Sequence, residues 1–257
     1  MELNCLVSFR LMARVTDKVQ FPQTIMNDTS IYSLEASREK VAIHAFLQRV
    51  YLWMTIGIGL TAFVGLWASE THQVATYLTS SFTPMLVLML ATLGMVIVLS
   101  AAIHKLSAPT AMVLFLVYSV LEGLFLTPVF LIYTQASLFT TFICTASMFG
   151  AMTVYAFTTK RDLSGWGRFL FMALIGLIIS MVVNIFFMKN GMMDLVLSGI
   201  GVVVFAGLTA YDTQKLIKNP DFLGIGFAKA SILGALELYL DFINLFLYLL
   251  RFLGRRN

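Results

Sequence analysis

Charged residues are scarce in this chain. Only 12% of its 257 residues are Asp, Glu, Lys or Arg, whereas a soluble domain carries about a quarter. Hydrophobic residues make up 59% and come in long blocks. A helix in a soluble core seldom needs more than about 14 consecutive apolar residues, and a membrane-spanning helix needs about 20. Several blocks meet the longer requirement, which excludes a soluble fold and predicts an integral membrane protein.

Cysteine is rare as well. Cys5 and Cys144 are far apart, and Cys144 lies inside an apolar block, which excludes a disulfide framework or a cysteine metal site.

The first 25 residues lack an uninterrupted signal-peptide core, because Arg10 and Arg14 interrupt it. Met26 opens a second, polar leader and is an alternative translation start. A net charge of +4 fits cytoplasmic anchoring of a membrane protein, not nucleic-acid binding.

Seven apolar segments predict an all-α fold, a polytopic seven-transmembrane-helix bundle. We expect a polar cytoplasmic N-terminal tail over residues 1–40 and one membrane domain over residues 41–257. Short connections favour antiparallel neighbours in sequence order. The segments cover residues 50–69, 84–103, 108–133, 138–157, 169–187, 193–211 and 230–253.

Lysine and arginine in the connections predict a cytoplasmic N-terminus. Lys and Arg are abundant before the first segment, absent from the connection between the first and second segments, and abundant again in the connections after the fourth and sixth segments. A full seventh span places Arg251, Arg255 and Arg256 outside, against the rule. A re-entrant seventh segment is the alternative, and we favour the full span.

Acidic residues inside the apolar segments are the candidate functional groups, because a charge at membrane depth costs at least about 2.5 kcal/mol and is usually functional. In the seventh segment Glu237, Asp241 and Asn244 share one helical stripe with Ala230 and Gly234. Small residues allow neighbouring backbones to approach closely. The remaining faces are apolar, so we expect this helix at the centre of the bundle.

Asp212 ends the sixth segment, and the chain then returns directly into the seventh. This turn brings Asp212 toward Asp241, although an interfacial Asp212 balanced by Lys215 is the simpler alternative. Two carboxylates in a low-dielectric bundle do not both ionise readily, so the pair would titrate as a unit. When ionised it would also be a cation site. Two carboxylates, Asn244 and water suit transient calcium passage better than tight storage, because calcium takes six to eight oxygens.

Three further residues have two interpretations each. Glu122, in the third segment, either joins the acidic cavity or is held neutral by hydrogen bonds. His104 and Lys105, at the end of the second segment, either pair with Asp212 as a latch that closes the pore or lie at the membrane interface.

The run LELYLDFINLFLYLLRFLG at residues 236–254 resembles the signature of the Bax inhibitor-one family, the transmembrane Bax-inhibitor-motif proteins. Supporting runs occur in the right order, and together they extend the resemblance over roughly residues 40–254. They are RVYLWM at 49–54, TKRDLSGWGRFLFMALIGLI at 159–178, VNIF around Asn184 and YDTQ from Tyr211.

The resemblance implies a seven-helix bundle with a central seventh helix and a pH-dependent calcium leak. It implies that Asp212 and Asp241 are the proton sensor and the transient calcium ligands. It also implies a basic latch at the end of the second helix, where this chain departs by having His104. Glu122 is a second departure, at a place where we expect a small polar residue. Compact size and short tails resemble the bacterial type, in the inner (plasma) membrane.

We expect a non-enzymatic protein with no cofactor, whose partners are the lipid bilayer, calcium ions and protons. Two other transport or binding functions compete: a regulatory membrane protein that acts through protein partners, and a proton-coupled cation exchanger. An intramembrane aspartyl protease is a weaker fourth interpretation. Leu238, Tyr239 and Leu240 precede Asp241 where such proteases carry a Gly-x-Gly motif, and no proline follows Pro220.

Overall fold

The computed structural model describes residues 28–188, 190–218 and 224–256. The alternative start at Met26 and residues 1–27 of the expected tail lie outside the described residues. The chain divides into two units, residues 1–44 and 45–257, and the site described below belongs to the second. In chain order the helices are α1 (Asp28–Glu70), α2 (His72–Thr79), α3 (Phe82–Ala102), α4 (Ala108–Phe125), α5 (Thr127–Ile132), α6 (Gln135–Thr158), α7 (Ser164–Val183), a π-helical turn (Asn184–Met188), α8 (Gly191–Lys218) and α9 (Phe227–Leu253).

In the part of the chain that the structure describes, seven helical stretches are long and apolar enough to cross a membrane, which confirms the predicted fold class. Except in the third span, the observed helices begin earlier or end later than the predicted apolar segments, because they continue into the residues at the ends of those segments. In α8, for example, the helix runs past Tyr211 to Lys218. The stretches are Lys40–Glu70, Phe82–Ala102, Ala108–Ile132, Gln135–Thr158, Ser164–Met188, Gly191–Lys218 and Phe227–Leu253.

Two features of the helices depart from straight spans. The connection after the first span contains α2, which buries Ala75 and Leu78 on one side. The third span breaks at Leu126, between α4 and α5, where Pro128 occupies the first turn of α5. A proline in a helix removes a backbone donor and frees a carbonyl, so the break follows from this residue.

Helix α9 is the central helix of the second unit. In an 18-residue window of α9, 78% of residues are buried, compared with 11–39% in the corresponding windows of the other six spans. It packs against α8, α6 and α4. Tyr239 is fully buried, and its hydroxyl lies 2.6 Å from Thr61 Oγ1 of α1. The predicted central position of the seventh helix is therefore confirmed.

Contacts at both ends of α9 show that it runs the full length of the bundle. Near its start, Lys229 Nζ donates to the carbonyl of His104, which follows α3, over 3.4 Å. Beyond its end, the carbonyl of Arg255 accepts a 3.2 Å hydrogen bond from Thr134 N, which precedes α6. The connections after α3 and before α6 lie at opposite ends of α4–α5, so the alternative of a re-entrant seventh segment is wrong.

Candidate functional site

A cavity of 750 Å³ lies between α7, α8 and α9. Helices α7 and α8 pack closely where Gly167 and Tyr211 line this cavity. A Cβ added at Gly167 would lie 2.7 Å from Tyr211 Oη. Apolar side chains such as Phe171 and Ile178 form most of the α7 side. Polar side chains concentrate on α8 and α9, and six polar or charged residues reach the cavity: Arg168, Asp212, Lys215, Glu237, Asp241 and Asn244.

Asp212 and Asp241 come together in this cavity. Their carboxyl groups are within hydrogen-bonding reach of each other. Asp241 is only 5% exposed, and no donor among the described residues reaches its Oδ2 atom. Carboxylates only accept hydrogen bonds, so two carboxyls share one only when at least one of them is protonated. The arrangement is therefore suited to holding a proton or, in its place, a cation.

Helix packing holds Asp212 at this depth. Gln214, two residues after Asp212 in α8, accepts a 2.8 Å hydrogen bond from Leu163 N and donates a 2.9 Å bond to the Arg161 carbonyl. These bonds attach the end of α8 to the connection between α6 and α7. The end of α8 that carries Asp212 is consequently anchored by this connection as well as by the packing of α8 itself.

A salt bridge lies beside the aspartates. Lys215 Nζ is 2.9 Å from Glu237 Oε1 and 3.1 Å from Oε2, and the two side chains are 34% and 25% exposed. Lys215 is also within electrostatic range of Asp212. The alternative interpretation of the sequence paired Lys215 with Asp212, whereas in the structure Lys215 donates hydrogen bonds to Glu237.

Asn244 lines the cavity as expected, and its Nδ2 donates to the Leu240 carbonyl over 2.8 Å. It also lines a second, smaller cavity together with Met181, Tyr248 and Arg251. The amide therefore lies between the acidic cavity and the far end of α9.

Glu122, His104 and Lys105 do not line the acidic cavity. Glu122 is 9% exposed and lies within electrostatic range of Tyr118 and Tyr239, on the opposite side of α9. His104 and Lys105 are exposed, and no salt bridge among the described residues joins either one to Asp212. Neither His104 nor Lys105 therefore forms the predicted latch on Asp212 in this structure.

The sequence analysis missed Tyr248, Arg251 and Met181, which lie near Asn244. A signal for two of them was present, because Tyr248 and Arg251 continue the stripe of Glu237, Asp241 and Asn244 at the same alternating spacing of four and three residues. Met181 belongs to a different helix and has no such signal.

Comparison with known proteins assigns this chain to a family. The family model described as "Inhibitor of apoptosis-promoting Bax1" matches residues 43–257. The chain belongs to the Bax inhibitor-one family. The matched region contains the whole second unit, and therefore every residue of the acidic cavity.

Proteins from several bacteria are similar to this chain along most of its length. Inner membrane protein YbhL of Escherichia coli K12 is 49% identical over 222 residues, which is 85% of this chain and 94% of that protein. A Borreliella burgdorferi protein is 41% identical over 230 residues, 87% of this chain and 99% of that protein. A membrane protein of Streptococcus pyogenes serotype M1 is 35% identical over 241 residues, 90% of this chain and 100% of that protein. The chain is thus a multi-pass integral membrane protein of this family.

Proposed function

We propose that the protein is a pH-sensitive, calcium-permeable leak in which Asp212 and Asp241 bind protons and calcium in turn. The contact between the two carboxyls inside the cavity supports this proposal most strongly. A proton shared by the pair leaves at most one negative charge, whereas loss of that proton leaves two charges side by side. The doubly ionised pair attracts a divalent cation, so protons and calcium compete for the same oxygens.

The small number of ligands favours passage over storage. Among the described residues, no cluster of three or more His, Cys, Asp or Glu side chains forms a metal-binding group. Two carboxylates and the nearby Asn244 supply fewer oxygens than the six to eight that calcium takes. Water would complete the coordination, and a partly hydrated ion leaves the site easily.

The membrane and the orientation are also part of the proposal. The inner-membrane name of the Escherichia coli relative supports the bacterial inner membrane as the location. The abundance of Lys and Arg before the first span supports a cytoplasmic N-terminus. Since α8 ends and α9 begins at the same end of the bundle, the Lys215–Glu237 salt bridge then lies on the cytoplasmic side.

Calcium flux into liposomes tests the function. Purified protein is reconstituted with a calcium indicator inside, and flux is measured at a series of equal internal and external pH values. We expect flux that changes with pH without any pH gradient. A flux that requires a gradient would indicate the proton-coupled exchanger, and no flux at any pH would favour a regulatory protein that acts through partners.

Asp241→Asn is the decisive variant in this assay, because asparagine cannot bind or release a proton. We expect it to lose the pH dependence of the flux. Glu122→Gln is the matched control, since it neutralises another buried acid that does not line the cavity, and it should keep the wild-type profile. An unchanged profile in Asp241→Asn would reject the assignment.

A further inference from the structure

The polar stripe of α9 continues beyond the proposed proton and calcium site to the opposite end of the helix. After Asp241 and Asn244 it includes Tyr248 and Arg251, spaced as the turns of one helix face. Asn244 and Tyr248 line both the acidic cavity and a second cavity of 170 Å³ that reaches Arg251. A route along one face of α9 therefore leads from the aspartates to a guanidinium.

Aromatic packing narrows this route at Tyr248. Its ring stacks on Phe205 of α8, with centroids 5.5 Å apart and planes 26° apart. It also packs on Gly201, where an added Cβ would lie 2.6 Å from ring atoms of Tyr248. Across the route, the Tyr248 hydroxyl donates to Met181 Sδ of α7 over 3.0 Å. Side chains from three helices thus meet at one point.

Arg251 lies immediately beyond this point and is held in place on two sides. Its Nη1 is 3.6 Å from Asp194 Oδ1 in the first turn of α8, and its guanidinium lies 5.9 Å from the centre of the Tyr248 ring. The two ionised side chains are about equally exposed, at 32% and 31%. The charge of Arg251 is therefore fixed beside the route, and Asp194 balances it.

We propose that Arg251 and Asp194 set the electrostatic barrier to cations at the end of the route that is distant from Asp212 and Asp241. The proposal rests on the cation flux proposed above and adds residues that determine its size and selectivity. A fixed positive charge repels calcium, and the adjacent carboxylate offsets that repulsion. The two charges consequently have opposite effects on flux, although they form one salt bridge.

The liposome calcium-flux assay distinguishes this role from a purely structural salt bridge. Arg251→Gln leaves Asp194 unbalanced, and we expect the flux to rise on the order of tenfold, within the range by which local charge alters cation access. Asp194→Asn leaves Arg251 unbalanced, and we expect the flux to fall. Arg251→Lys keeps the charge and should bring the flux back toward that of the wild type.

Arg255→Gln is the matched control, because it removes the same charge from the same end of α9 and its exposed side chain lines neither cavity. It should leave the flux unchanged. If Arg251→Gln and Asp194→Asn both raise or both lower the flux, the proposed barrier is contradicted, whereas the proposed calcium leak is not. If one of the two variants does not fold, the other still tests the proposal, because its flux should rise (Arg251→Gln) or fall (Asp194→Asn) relative to that of Arg255→Gln. Absence of flux through the wild type would overturn both proposals.

Discussion

Among individual side chains, Asp162 differs from the two cavity aspartates in its surroundings. It lies outside the spans, in the connection between α6 and α7, and is exposed. Lys218 binds its carboxylate, and Ser164 donates from N over 3.0 Å and from Oγ over 2.7 Å. The bond from Lys218, followed by those from Ser164, holds the pKa of the Asp162 carboxyl below its usual value. Asp162 therefore stays ionised over the whole neutral range.

Replacement of Asp162 should affect stability without altering the pH response of the flux. A lowered pKa in the folded state stabilises the protein above the unfolded pKa of about 3.9. That stability is lost as the pH falls through the lower folded value. We expect Asp162→Asn to lower the melting temperature in detergent above about pH 4, with a difference that shrinks on further acidification. A displaced pH profile of calcium flux would instead make Asp162 part of the proton-sensing group.

Between helices, the closest approach of α1 to α4 depends on Gly123. A Cβ at this position would lie 2.7 Å from the Thr61 carbonyl oxygen and 2.9 Å from Val64 Cβ. A backbone carbonyl cannot rotate away as a flexible side chain does. The two helices would have to separate, and the Thr61–Tyr239 hydrogen bond that joins α1 to α9 would separate with them.

Gly123→Ala should consequently destabilise the bundle by about 1–3 kcal/mol, the usual range for overpacking. Gly150→Ala, in α6, is the control because nothing lies within 4 Å of an added Cβ. It should be neutral or stabilising by up to about 1 kcal/mol, since alanine is the better helix former. Thermal unfolding in detergent micelles measures both variants. Equal effects of the two substitutions would mean that α1 and α4 are not closely packed at Gly123.

The helices themselves were predictable from the sequence, and the pairing of side chains between helices was predictable only in part. Apolar length identifies the spans, and helical periodicity puts Glu237, Asp241 and Asn244 on one face. The rotation of α8 about its axis relative to α9 decides which acid Lys215 binds. No local sequence pattern predicts that rotation. The same limit applies to Glu122, whose distance from the cavity depends on how α4 packs against α9.

For the molecule as a whole, the seven spans of the described residues predict that the two ends of the membrane domain lie on opposite sides of the bilayer. The connection over residues 71–81 contains no Lys or Arg, whereas Lys160 and Arg161 lie in the connection between α6 and α7. The positive-inside rule then predicts that the first of these connections faces outward and the second faces the cytoplasm. The same prediction puts Arg255 and Arg256 on the outer side, against the rule. Arg256 packs over the Tyr133 ring at 5.8 Å.

Labelling of single cysteines tests this orientation. In a variant without Cys5 and Cys144, a cysteine is introduced at the exposed position Ser80 or Thr158. A membrane-impermeant thiol reagent added to right-side-out vesicles should label Ser80→Cys and not Thr158→Cys. The reverse pattern would invert the orientation, and labelling of both would contradict an odd number of crossings between them.

Infrared difference spectroscopy of the purified protein observes the competition between protons and calcium at the carboxyl pair. A protonated carboxyl absorbs separately from a carboxylate, so proton loss on adding calcium is visible as a band that disappears. We expect the wild type to lose one protonated-carboxyl band when calcium is added, and Asp241→Asn to show no such loss. A band unaffected by calcium in the wild type, or an equal loss in Asp241→Asn, would contradict the sharing of one site by protons and calcium at Asp212 and Asp241.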